Sequence, residues 1–132
     1  MVTHVQQLRK RYWQTEFMIR LPRLRDCASD FTIPSPVTDR EFIQMIAALR
    51  ILLPEVGINL STRVSPALRD YLIGAGVTHM SAGSKTEPGG YLHPEENLKH
   101  FEIEDRRSIA EVTSLIQQKG YEPIFKDWEK TL

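Results

Sequence analysis

One cysteine, Cys27, is all the thiol chemistry this chain of 132 residues carries. It excludes an internal disulfide, and it excludes the several thiolates that an iron–sulfur cluster takes. No apolar run approaches the roughly 18 residues that span a bilayer, and the opening MVTHVQQLRKRYW lacks the apolar stretch of a secretory leader. The expected location is therefore cytoplasmic, with no membrane partner. Net charge is missing as well, because 17 lysines and arginines meet 17 aspartates and glutamates. Without a basic excess there is no electrostatic footprint for nucleic acid. The four histidines, His4, His79, His93 and His100, show no zinc-ligand spacing.

What is present reads as one soluble domain over residues 1–132, long enough to bury a real core. Residues 4–16 place Val5, Leu8, Tyr12 and Trp13 at helical spacing, with the aromatics expected to pack and Arg9 to Arg11 on a solvated face. FMIRLPRL turns to a strand-like run that Pro22 should end, and residues 25–37 are loop chemistry. Thr38 and Glu41 make a capping box before Phe42, Ile43, Met45, Ile46, Leu49, Leu52 and Leu53, which predicts a helix buried on a wide face and closed by Pro54. After Gly57, INLSTR alternates apolar Ile58, Leu60 and Thr62 with polar Asn59, Ser61 and Arg63, so one face of the strand should be polar. Ser65-Pro66 caps a short helix carrying Leu68, Tyr71 and Leu72, and VTHMSAGS follows as a strand. Ser108 and Glu111 form a second capping box, Gly120 follows the helix they open, and YEPIFKDW reads as a last strand. Helix, glycine, strand thus recurs at Gly57, Gly76 and Gly120. The fold class is α/β, with right-handed crossovers and a parallel sheet.

In parallel α/β folds, ligands gather at the carboxyl ends of the strands. Four places qualify: Arg23 with Arg25, residues 61–63, residues 81–84, and Lys126 with Asp127. At the second, an arginine after two hydroxyl residues suits a clamp for a carboxylate or phosphate. The plainer reading of Arg63 is an ion pair with a nearby acid. SAGSKTEPGG only loosely resembles a phosphate-cradling loop, since it lacks the ordered glycines and the following lysine. Cys27 has no evident histidine partner, and His79 reads more simply as a hydrogen-bonded interior histidine than as an acid or base.

The motifs LPRLRDC, LSTRVSPALRD, MSAGSKTEPGGY, FEIEDRRS and the closing GYEPIFKDWE, taken together and in order, resemble the C-terminal third of the 2-iminoacetate synthases. These are the radical S-adenosylmethionine tyrosine lyases of thiamine biosynthesis. The resemblance runs along essentially the whole chain, and KDW favours this family over its relative in hydrogenase maturation. It implies the C-terminal part of a (β/α) TIM-like barrel, with three to four parallel strands, in the region called the biotin and thiamine synthesis associated domain. It implies a substrate pocket in which Arg63 grips a carboxylate, lined by Ser61, Ser81 and Ser84. The complete enzyme cleaves the Cα–Cβ bond of tyrosine to 2-iminoacetate and p-cresol, using a [4Fe-4S] cluster and S-adenosylmethionine, with thiazole synthase as an expected partner. The chain departs from the family pattern at Val64, usually glutamate, and at Arg20, usually a small residue.

The family's CxxxCxxC motif does not occur in this sequence, so no cofactor is expected to be bound by this chain alone. A full barrel takes about 250 residues. The expected partner is a cluster-bearing N-terminal half or a second copy of the chain. The alternative is a non-catalytic binding or interaction module derived from the enzyme.

Overall fold

The computed structural model describes residues 1–24, 33–85 and 103–125. The elements run α1 (Val2–Arg11), β1 (Met18–Arg20), α2 (Asp39–Leu52), β2 (Gly57–Leu60), α3 (Pro66–Leu72), β3 (His79–Met80) and α4 (Ile109–Gln118). The three strands form one parallel sheet in the order β1-β2-β3, with Ile19 opposite Ile58, Arg20 opposite Asn59, and Asn59 opposite His79. Each step along the sheet is made through a helix, as parallel pairing requires. This is the architecture of a segment of a (β/α) barrel.

Alternation sorts the sheet into two unlike faces. Ile19, Ile58 and Leu60 join Val5 of α1, Phe42, Ile46 and Leu49 of α2, and Leu68 and Leu72 of α3 in one apolar core. Burying such side chains contributes about 1.5–3 kcal/mol each. The other face carries Met18, Arg20, Gly57, Asn59 and His79 by register. Met18, 45% exposed, and Arg20 are exposed there, whereas Asn59 and His79 are half-buried. Gly57 suits this row because a Cβ would stand 3.3 Å from the His79 ring.

Both capping boxes form. The hydroxyls of Thr38 and Ser108 accept from the backbone N–H groups of Glu41 and Glu111, whose carboxylates accept in return from the cap N–H groups. Hydrogen bonds from Thr38 hold the Glu41 carboxyl below its usual range, and those from Ser108 do the same for Glu111. Ser108→Ala is expected to lower stability by about 1 kcal/mol; a shift in the urea midpoint at constant m-value checks it.

Several sequence expectations change. The first helix ends at Arg11 rather than near 16; Tyr12 leaves helical geometry, so Tyr12 and Trp13 do not pack, and Trp13 is 78% exposed. Arg9 is paired with Glu55, and Arg11 lies over the Tyr12 ring. In α2 the buried stripe is narrower than expected: Phe42, Ile46 and Leu49 are inside, continued by Leu53, whereas Met45 and Leu52 are exposed. A three-stranded sheet is too small to cover a wider stripe. β2 stops at Leu60 rather than 63, because the chain turns there and buries both Ser61 and Thr62. In α3 Leu68 and Leu72 are inside as expected, Arg69 is buried with them, and Tyr71 is exposed. Residues 121–125, the described part of the stretch read as a last strand, carry no strand; Lys126, Asp127 and Trp128 lie outside the described residues.

Candidate functional site

The carboxyl ends of β2 and β3 lie side by side. Leu60 pairs with Met80, and the Ser81 N–H donates to the Leu60 carbonyl at 3.0 Å, which sets Ser61 and Ser81 at neighbouring strand ends. Ser61 is buried, and its Oγ accepts the Arg63 N–H at 3.3 Å, a side-chain-to-backbone turn that carries Arg63 past the strand. Arg63 is half-buried, as is Ser84, which follows the turn at Gly83. Gly83 has φ of +60°, a left-handed conformation that favours glycine, and its N–H donates to the Arg107 carbonyl. The pocket expectation leaves the Ser81 hydroxyl open to a ligand. Its Oγ instead accepts from Arg20 Nη2 at 3.1 Å, across the face of β2.

Beneath these ends lies a charge cluster that sequence reasoning did not find. Arg69 and Asp105 are both fully buried and paired, and Arg69 also donates to the Ser81 carbonyl. Arg107 forks onto Asp105, with Nε to Oδ1 at 2.9 Å and Nη2 to Oδ2 at 2.6 Å, and Nη2 reaches Asp70 Oδ1 at 2.8 Å. The backbone joins in, since the N–H groups of Glu104 and Asp105 donate to the Thr62 carbonyl at 3.1 and 3.0 Å. One network therefore ties α3, the segment before α4, the turn after β2 and the end of β3. Burial pulls the Arg69 guanidinium below the ordinary arginine value, against the charge of Asp105. Burial pushes the Asp105 carboxyl upward, but hydrogen bonds from Arg107 and the charges of Arg69 and Arg107 outweigh it and hold the group low. The Asp105 fork raises Arg107. A buried pair of this kind is better evidence for positioning than for stability.

The helical stripe 65, 68, 69, 72 was the signal available for Arg69, because it puts an arginine at a core position. For Asp105 no spacing signal existed, since its partners lie on another element.

Other candidates have partners of their own or lie outside the described residues. Arg23 is committed to Asp39 and the Val37 carbonyl, with its guanidinium over the Phe42 ring at 5.5 Å. His79 Nδ1 shares a 2.8 Å hydrogen bond with Thr78 Oγ1, in keeping with a hydrogen-bonded histidine. Val64 is fully buried in the core. Cys27 and Arg25 lie outside the described residues, as do His93 and His100. A cleft of about 670 Å³ lies by Trp13, Phe17, Glu55 and Val56, before the starts of β1 and β2, the opposite ends of the strands from the serines.

Among the described residues no group of three or more His, Cys, Asp or Glu side chains could hold a metal, and the sequence has one cysteine. These residues do not fit a [4Fe-4S] cluster.

The model of the biotin and thiamin synthesis associated domain matches residues 21–122. The chain belongs to that family. The match takes in the strand ends, the charge cluster and α4. The chain is 37% identical over 129 residues to the 2-iminoacetate synthases of Salmonella typhimurium strain LT2 and Escherichia coli strain K12, which covers 98% of this chain and 34% of each of those proteins. This biotin and thiamin synthesis associated domain thus spans about a third of the length of the curated relatives it matches. A crystal structure of HydG, a maturase of the [FeFe]-hydrogenase, matches with a TM-score of 0.82 at 35% identity, over 94% of this chain and 27% of that one.

Proposed function

We propose that this chain is the substrate-pocket portion of a radical S-adenosylmethionine lyase that cleaves the Cα–Cβ bond of tyrosine to 2-iminoacetate and p-cresol for thiamine biosynthesis. The observation that carries the reading is the two-faced sheet. A parallel sheet is normally covered on both faces, yet here the apolar core lies on one face and the other presents Arg20, Asn59 and His79, with Ser81 just beyond the end of β3. That is the arrangement of a barrel wall, with helices outside and polar strand ends facing a lumen. The 37% identity to 2-iminoacetate synthases over nearly the whole chain supports the same reading.

The chain's own contribution is binding and orientation. Ser61, Ser81, Ser84 and Arg63 form the pocket rim, and the Arg69–Asp105–Arg107 network fixes the rim from below. The cluster and S-adenosylmethionine, which supply the radical chemistry, belong on a companion segment that also supplies the remaining barrel strands. Thiazole synthase is the proposed recipient of the product. No helix among the described residues is long and apolar enough to cross a membrane, which accords with a cytoplasmic setting.

Mixing the chain with the separately expressed cluster-bearing part of a 2-iminoacetate synthase, reduced and supplied with S-adenosylmethionine and tyrosine, is expected to release p-cresol. An intact cluster with no p-cresol would sink the proposal.

A further inference from the structure

The polar face of the sheet carries a cation that meets no acid among the described residues. Arg20, on the edge strand β1, is exposed, and its Nη2 hydrogen bond at 3.1 Å runs to a neutral acceptor, Ser81 Oγ. Arg9, Arg23, Arg69 and Arg107 each pair with a carboxylate, which Arg20 does not. Its place on the sheet gives that difference a use. By register Arg20 stands on the row of Asn59 and His79, and Ser81 comes two residues beyond His79. Arg20 therefore reaches Ser81 from within the sheet face. Arg63 belongs to the turn past the end of β2, where Ser61 Oγ accepts its N–H. The two arginines are thus rooted on opposite sides of the strand ends. The apolar core fills the other face of the sheet, so a ligand held by its carboxylate at Arg63 has room for its other end along the polar face, beside Arg20. A guanidinium enclosed in a barrel lumen is costly without an anion or a strong acceptor, and its planar fork suits an anionic oxygen.

We propose that Arg20 is a specificity-determining residue for the side-chain end of the substrate: its guanidinium, oriented by Ser81 Oγ, donates to an oxygen at the far end of an amino acid whose carboxylate is held at Arg63. This rests on the substrate-pocket reading above and leaves the carboxylate clamp where that reading puts it. The substrate class is an aromatic amino acid with an oxygen at the para position. Tyrosine meets the demand through its phenolic oxygen. A para-carboxylate meets it more strongly, because it is charged and can take the fork in bidentate fashion. Phenylalanine leaves the guanidinium without a partner, the kind of mismatch that polar sites reject. Ser81 is then a positioning residue for Arg20.

The test is a calorimetric titration of L-tyrosine, 4-carboxy-L-phenylalanine and L-phenylalanine into the chain mixed with the cluster-bearing part of a 2-iminoacetate synthase. The wild-type chain is expected to bind the para-carboxylate most tightly, and phenylalanine about tenfold more weakly than tyrosine or worse. Arg20→Ser is expected to reverse the order: the tyrosine preference disappears and the para-carboxylate, an anion without a partner, binds worst. Arg20→Lys should keep the wild-type order with a smaller spread. A variant that had merely lost its fold would lose all three ligands together, so a reversed order reports the contact itself. Phenylalanine bound as well as tyrosine by the wild-type chain, or an order that survives Arg20→Ser, overturns the proposal, as does failure to bind any of the three. Weaker association of Arg20→Ser with the cluster-bearing part, at an unchanged ligand order, overturns it by assigning Arg20 to that interface. The p-cresol assay separates the two readings. Product formed by Arg20→Ser at an unchanged KM for tyrosine removes the specificity role and keeps the lyase. An Arg20-dependent ligand order with no p-cresol removes the lyase and keeps the specificity role.

Discussion

Asp105→Asn is expected to lower the unfolding free energy by roughly 3–5 kcal/mol, the cost of leaving one member of a buried ion pair without its partner. The substituted amide keeps the volume of the carboxylate and loses the charge that Arg69 faces, and Arg69 cannot shed its proton in compensation. Both residues are fully buried, so solvent cannot replace the lost partner. The same variant weakens the fork from Arg107, and with it the tie between α3 and the segment before α4. Urea unfolding followed by far-ultraviolet circular dichroism measures the change. If Arg69→Met with Asp105→Leu is far less harmful than Asp105→Asn, the loss comes from an uncompensated charge rather than from missing packing.

Acid should unfold the wild-type chain through the same group. The folded Asp105 carboxyl is held low, so as pH falls the unfolded chain takes up its proton first. Its stabilising contribution is therefore complete above the ordinary aspartate value, near pH 4, and is lost as pH drops through the depressed folded value. Glu41 and Glu111, both lowered, act in the same direction. Asp105→Asn should flatten the dependence of stability on pH below about 4. An unchanged acid slope in that variant would count against the role assigned to Asp105.

Phe42→Ala is the second large effect, at roughly 3–5 kcal/mol. Phe42 lies in the first turn of α2 and is 1% exposed, in the core that joins α2 to the sheet. Truncation removes the transfer energy of the ring and leaves a cavity that the short sheet cannot collapse to fill. It also takes away the surface on which the Arg23 guanidinium rests, 5.5 Å from the ring centroid. That part is smaller, about 0.5–1 kcal/mol at a partly exposed site. A double-mutant cycle of Phe42→Ala with Arg23→Met isolates it, because Arg23→Met alone also removes the ion pair with Asp39 and the bond to the Val37 carbonyl. Phe42→Leu should cost well under half of the alanine change, and thermal unfolding of the three variants orders them.

The fold was legible wherever a signal was local. The capping boxes at Thr38 and Ser108 involve partners three residues apart, and both helices start where those residues say. Pro66 after Ser65 opened α3, and the alternation in β2 identified Ile58 and Leu60 as its inward positions. Strand ends were less legible, because a strand stops where its neighbour stops pairing. β3 keeps only His79 and Met80 of the eight residues read as strand, and the hydroxyl pair Ser61-Thr62 belongs to a turn. At the site, spacing placed residues 61–63 and 81–84 at strand ends, and in the structure the Ser81 N–H donates to the Leu60 carbonyl. Spacing could not show that Arg20, some sixty residues away in sequence, would occupy Ser81.

From the sequence alone came the helix starts, the parallel α/β class, the family resemblance and the absence of a cluster-binding set of cysteines. These depend on residue type and short-range spacing, which a chain carries with it unfolded. The tertiary structure decided the rest: that Arg69 and Asp105 are a buried pair under the strand ends, that Asn59 Oδ1 has no partner among the described residues, and that the described apolar core lies on one face of the sheet. Each depends on which residues distant in sequence share a volume from which water is excluded, and folding alone creates that volume.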